Sequence, residues 1–286
     1  MNWRRRRGGA VVAAVVAAVV ISVFASVAPA GAAIETVTTQ GLTVTYTYRG
    51  PSSLPQSSHL KIVWSGRVVY DHAVTSTWCG TRCSPNEIVT TSKVIHIVRL
   101  QSGRPPSVVL DLYTGGAHCC SVEQVYSLAA GSTTAHKFEY DFGNPGARLE
   151  KIGPAGRFDF VSADNNFAYA FTNFAASAMP IQILSVSNES FHNVTRSFPG
   201  LVAKDAAQWM HAFTAQASGH YLDSVGVVAA WAADEDMLGH SGTVASFLAA
   251  QSTAGHLNSE LNPTTLSGHR FVAALQLFLR KNGYRT

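Results

Sequence analysis

The residue types of a hydrolytic triad lie in one short stretch: Asp111, His118 and Ser121. A serine hydroxyl, an imidazole to take its proton and a carboxylate to orient the imidazole would make an acyl-transfer nucleophile. No Gly-x-Ser-x-Gly elbow accompanies them. With 11 histidines among many serines, such sets also arise by composition alone. Asp111 and His118 are therefore the candidate catalytic residues of a hydrolase, set against a hydrogen-bonded histidine beside a disulfide.

The same stretch carries Cys119-Cys120, and Cys79 and Cys83 lie upstream in Trp78-Cys79-Gly80-Thr81-Arg82-Cys83. Four cysteines allow three pairings. Joining Cys119 to Cys120 is strained, because consecutive Cα atoms are about 3.80 Å apart and disulfides span about 4.4–6.8 Å. The other two pairings tie the Cys79/Cys83 loop to the Cys119-Cys120 turn. Each closes a loop of about forty residues, worth roughly 4 kcal/mol. Two competing readings are a zinc site from Cys79, Cys83, His118 and one of Cys119 or Cys120, and a strained vicinal disulfide of high potential.

Oxygen ligands cluster at Asp159, Asp164, Asn165 and Asn166, and Asp159, Asp164 and Asn166 are calcium candidates. The alternating Asp-x-Asp-x-Asp-Gly spacing is missing and Asn-Asn suits ordinary turns, so no metal or cofactor is assigned. Asp234-Glu235-Asp236 sits near the C-terminal end of an expected helix, where the dipole disfavours acids; that placement calls for a partner such as a metal or an arginine. Phe167, Tyr169 and Phe171 alternate, which on a strand puts all three on one face, as core or as a row for a polysaccharide or peptide.

Strand signals run from Thr36 to about Phe198. Leu42–Tyr48 alternates with period two, Val94–Val98 and Phe158–Val161 do so more roughly, and Gly, Pro, Asn and Ser clusters separate them. After Pro199-Gly200 the texture is helical. Ala203–Ala217, Leu222–Met237, Thr243–Gln251 and a last helix capped by Ser267 carry apolar stripes, the last through Phe271, Leu275, Phe278 and Leu279. The fold class is α+β: a β-rich body, sandwich-like or partly propeller-like, over 34–199, followed by three or four helices over 200–286 that pack on it.

Residues 1–33 read as a signal peptide. Arg4–Arg7 precede an apolar run, and small-x-small sites allow cleavage near Ala30 or Ala33. An uncleaved N-terminal anchor is the alternative. The chain has 21 Lys+Arg and 17 Asp+Glu, and residues 1–33 hold four arginines and no acid, so 17 of each remain. A neutral mature chain removes the compositional case for nucleic-acid binding. If the signal is cleaved, no stable membrane span remains.

Val108-Val109-Leu110-Asp111 leading to Gln124, and Phe160–Asp164 leading to Gln182, share a strand, Asp, loop, strand order. That order resembles successive blades of integrin-type propeller repeats, although two units cannot close a propeller. Leu110–Cys120, with Tyr113-Thr114-Gly115-Gly116-Ala117-His118-Cys119-Cys120 at its centre, resembles a motif of secreted bacterial proteins of unknown function. Ser162–Phe171 and Ala230–Glu235 are similar to stretches of the same group. The resemblance implies export and paired cysteines and brings no activity. The sequence thus points to a secreted or envelope-associated, non-enzymatic protein that binds an extracellular polymer, protein or small ligand, with a hydrolase around Asp111 and His118 as the alternative.

Overall fold

The computed structural model describes residues 32–39, 41–53, 55–86, 93–116, 119–216, 223–262 and 264–285. Residues 1–31 of the expected export segment, Ala30 among them, and His118 lie outside them. Among the described residues thirteen strands and four α-helices follow in the α+β order expected from the sequence. The strands form three antiparallel sheets that stack as layers.

The first sheet is a meander of β1 (Ala32–Thr39), β2 (Leu42–Arg49), β3 (Gln56–Trp64) and β4 (Arg67–Ala73). Ala33, one of the two expected cleavage positions, pairs with Tyr48 across β1 and β2. The alternation read in Leu42–Tyr48 has its physical cause here: Leu42, Val44 and Tyr46 are buried and the intervening threonines are not. The second sheet holds β7 (Ser107–Gly116) between β8 (Cys119–Ser127) on one side and β5 (Ser84–Pro85) and β6 (Ile95–Val98) on the other, with β9 (His136–Gly143) beyond β8. The third is a meander of β10 (Arg148–Glu150), β11 (Asp159–Ala163), β12 (Ile181–Ser187) and β13 (Ser190–Asn193).

The second sheet is the middle layer, buried on both faces. Val108, Leu110, Leu112, Val122 and Tyr126 pack against Val44, Tyr46, Leu60 and Ile62 of the first sheet. Val109 and Val125 pack with Phe142 against Phe160, Leu184 and Val186 of the third. A strand covered on both sides needs apolar residues at successive positions, and β7 supplies them in Val108-Val109-Leu110-Asp111-Leu112, with one exception. The two stretches of similar order noted in the sequence are β7–β8 and β11–β12, the inner strand pairs of two separate sheets.

Helices α1 (Pro199–Ala215), α2 (Ser224–Met237), α3 (Ser241–Thr253) and α4 (Gly268–Lys281) cover the far side of the third sheet. The packing centre is α2, buried almost all round from Val225 to Ala233. Its Gly226 lies so close to the β11–β12 connection that a Cβ there would meet the Ala176 carbonyl oxygen at 2.1 Å. Ser267 does not cap α4 with its side chain; its hydroxyl oxygen accepts the Ser259 N–H at 3.0 Å instead. Phe167, Tyr169 and Phe171 are not on a strand. Tyr169 has a φ of 59°, the chain turns there, and Phe167 and Phe171 enter the helical core while Tyr169 remains exposed. Arg196, just after β13, donates to the carbonyls of Met237, Gly283 and Tyr284 at 2.9, 3.0 and 2.7 Å. One guanidinium thereby satisfies carbonyls at the ends of both α2 and α4.

The cysteine pairing expected to join the loop to the turn does not occur. Cys79 is bonded to Cys83, with Cα atoms 5.2 Å apart, closing a loop of a few residues. Cys120 is disulfide-bonded as well, and no described cysteine is a free thiol, which leaves the zinc reading without ligands. The Cys79–Cys83 loop is secured to the middle sheet by hydrogen bonds instead: Thr77 donates its N–H and hydroxyl to Glu139 at 2.8 and 2.7 Å.

Two outcomes check these packing and pairing arguments. Gly226→Ala forces α2 away from the Ala176 carbonyl and lowers stability by about 1–3 kcal/mol in urea unfolding. Tryptic cleavage at Arg99 without reductant separates the peptides carrying Cys79 and Cys83 from the one carrying Cys119 and Cys120; a cross-linked mass would overturn the pairing.

Candidate functional site

On the face of the β7–β8 pair that looks toward the third sheet, residues alternate outward in rungs set by the strand register. Val109 opposes Val125, then Asp111 opposes Glu123, then Tyr113 opposes Ser121. The first rung is apolar core, the second is a carboxyl pair with no exposed surface, and the third opens into a cleft.

Glu123 has its carboxyl pushed well above the usual range, first by burial and then by the charge of Asp111, to which it is hydrogen-bonded. Two carboxylates this close in a dry interior cannot both ionise, so Glu123 keeps its proton and shares it with Asp111. The other side of Asp111 is held by its neighbours. Oδ1 accepts the Asn86 amide at 3.1 Å and the Ser121 hydroxyl at 3.3 Å, and Asn86 also donates to Ser121 Oγ at 2.8 Å. Asn86 is fixed in turn by its own N–H to the Asp111 carbonyl at 3.0 Å.

Asp111 and Ser121, paired in the sequence reading, are therefore together, but in direct contact. In a triad the imidazole stands between the serine and the acid. Here the serine gives its proton to the carboxylate itself.

The cleft above this rung has a volume of about 610 Å³. Its middle-sheet wall is Asn86, Tyr113 and Ser121, its rim is the Gly143–Arg148 turn, and its far walls are β11 with Val161, Ser162 and Ala163, and α1 with Asp205, Gln208 and Trp209. Gly146, at φ 61°, lets the rim approach Ser121 to within 3.4 Å of where a Cβ would stand. Its carbonyl is held by the Ser162 hydroxyl.

A second carboxyl pair lies behind the helical wall. Asp205 Oδ2 accepts the Ile181 N–H at 2.9 Å and the Trp209 indole N–H at 3.0 Å. Behind it Asp234 has no exposed surface, and its carboxyl is pushed up to about 10, first by burial and then by the charge of Asp205. Asp234 is a neutral acid that donates to Asp205, which in turn fixes the indole ring against the cleft. The partner foreseen for the Asp234-Glu235-Asp236 run is thus another acid for Asp234. Glu235 meets His240 Nδ1 at 2.6 Å, and Asp236 lies 4.0 Å from Arg285 Nε.

The calcium candidates are divided. Asp159 is buried at the far end of β11 against Arg157, at 3.0 Å. Asp164 accepts the Tyr284 hydroxyl at 2.6 Å and the Asn166 N–H at 3.0 Å, beside a small polar cavity shared with Asp141 and Gln182. Among the described residues no group of three acids, histidines or cysteines is placed to hold a metal.

Sequence reasoning missed Asn86, Glu123, Asp205 and Trp209. Glu123 did leave a signal, a charge between Val122 and Val125 in a strand-like stretch.

The two buried acids fix the sign of a pH effect. Between pH 7 and pH 9 an unfolded carboxyl, with an ordinary value of about 4, carries no proton. The unfolded chain has released the proton that Asp234 still holds when folded, so stability falls with rising pH, by up to about 1.4 kcal/mol per unit for each proton retained. Urea unfolding midpoints across this range should decline for the natural chain. They should decline less for Asp234→Asn, whose amide N–H still reaches Asp205; equal slopes would contradict the assignment.

The chain matches no protein-family model and no solved structure. A probable thylakoid lumen protein of Synechocystis sp. is 29% identical over 137 residues, covering 47% of this chain and 40% of that protein. An uncharacterized protein of Sinorhizobium fredii is 25% identical over 139 residues, covering 48% of this chain and 21% of the relative. The chain therefore spans less than half the length of either. Among the described residues no helix is long and apolar enough to cross a membrane.

Proposed function

We propose that this is an exported protein that acts by binding an extracellular or cell-envelope ligand in the cleft between the middle sheet, the third sheet and α1, without turning it over. The carrying observation is the cleft itself: about 610 Å³, within the range of about 300–1,000 Å³ usual for small-ligand sites, with a fixed aromatic ring and converging polar groups. Export is supported by the arginine-led apolar segment, by the disulfides and by the lumenal name of the Synechocystis relative. The resemblance to secreted proteins with the Tyr113–Cys120 motif points the same way.

Binding is favoured over hydrolysis by the state of Asp111, which is sealed from the cleft and bonded to Asn86 and Ser121. A serine whose hydroxyl donates to the carboxylate itself does not present that proton to an imidazole base.

Thermal unfolding of the full chain against neutral oligosaccharides, anionic oligosaccharides, tetrapeptides and nucleosides tests the reading. One class should raise the melting temperature in the natural chain and fail to do so in Trp209→Ala, and mass spectrometry should recover that compound intact. Stabilisation that survives Trp209→Ala would place binding elsewhere. Cleavage of the compound, abolished in Asp111→Asn, would establish the hydrolase.

A further inference from the structure

We propose that the ligand of this cleft is a neutral saccharide whose ring lies on the Trp209 indole; this rests on the binding reading above and adds its chemical class. The cleft lining holds two charged side chains, Arg148 and Asp205. Arg148 Nε is engaged by Glu150 at 3.2 Å. Asp205 takes the Ile181 and Trp209 N–H groups and the Asp234 proton, three of the roughly four acceptor positions a carboxylate offers. An anionic ligand would meet Arg148 exposed to water and already paired with Glu150, where a further ion pair returns little of the ligand's desolvation, and a cationic one would compete with bonds that hold the wall together. A neutral ligand meets neither cost.

The remaining lining alternates in kind. Trp209, Met179, Ile181, Val161 and Ala147 give apolar surface, while Ser121, Ser162, Asn86, Tyr113 and Gln208 give neutral donors and acceptors. A pyranose has the matching anatomy, with C–H groups on one face and hydroxyls around its edge. The indole is suited to the C–H face because its N–H is already committed to Asp205, so the ring is held in one plane and need not be ordered on binding. Next to it, Gln208 is exposed on α1 and makes no hydrogen bond among the described residues, so its amide is available to the hydroxyl edge. The cleft is open at the Gly143–Arg148 rim, which suits a short oligomer entering from one side.

Calorimetric titration of the full chain with chitotetraose, cellotetraose and maltotetraose, alongside tetragalacturonate and tetra-alanine, tests the class. At least one neutral tetrasaccharide should bind, with an affinity unchanged between 50 mM and 300 mM salt. Trp209→Ala should weaken it about tenfold or more. Gln208→Ala, a surface change that spares the fold, should weaken it by a smaller factor, so the proposal is still tested if Trp209→Ala unfolds. Preferential binding of tetragalacturonate, or of tetra-alanine, with loss in Trp209→Ala would overturn the saccharide class while leaving the cleft as the binding site. Neutral saccharides that fail to bind overturn the class. Saccharide binding indifferent to both substitutions overturns the site as well.

Discussion

Strands β7 and β8 run between two other sheets, and everything placed on them must be reconciled with a dry environment on both sides. Apolar residues meet that requirement directly through Val109 and Val125 on one face and Leu110, Leu112 and Val122 on the other. Asp111 and Glu123 meet it only as a pair, because a single buried carboxylate there would carry several kcal/mol of uncompensated desolvation. Sharing one proton lowers the buried charge to one, and Asn86 and Ser121 supply the hydrogen bonds that hold that charge. The position of Ser121 at the cleft wall, and of the segment that carries Asn86, both follow from this arrangement.

The same solution recurs on the opposite wall. Asp205 and Asp234 join α1 to α2 as Asp111 and Glu123 join β7 to β8, and in each case the protonated member is the one farther from the cleft. The consequence is a cleft with acids behind both walls but little net charge on its surface. Its rigidity comes from the same bonds, since Asp205 positions the Trp209 ring and the Ile181 backbone together.

Much of the scaffold was legible in the sequence and little of the site. The alternation of Leu42–Tyr48 and the stripes of the four helices are local patterns, and local patterns translate directly into faces. Phe167, Tyr169 and Phe171 carry an equally regular alternation yet bend out of any strand, because Asp164 ties the Asn166 N–H into a turn and Tyr169 takes a left-handed conformation. The carboxyl pairs are non-local. Asp111 meets Glu123 through the register of β8 against β7, and Asp205 meets Asp234 through the packing of two helices. The cysteines misled for another reason: the strain expected of a bond between adjacent residues argued for tying the loop to the turn, whereas the fold closes Cys79 on Cys83.

Arg196 lies at the junction of the β-rich and helical layers, and its partners include the carbonyls of residues 283 and 284, close to ninety positions later in the chain. The Tyr284 hydroxyl adds a bond to Asp164, from still earlier. During synthesis the sheets can therefore assemble as their strands emerge, but the junction stays incomplete until residue 284 is available. The helical layer is complete only once α4 and residue 284 have docked. Before that event the Phe167 and Phe171 side chains have no α4 to cover them, and that interval is when the nascent protein is most exposed to aggregation or to capture by a chaperone.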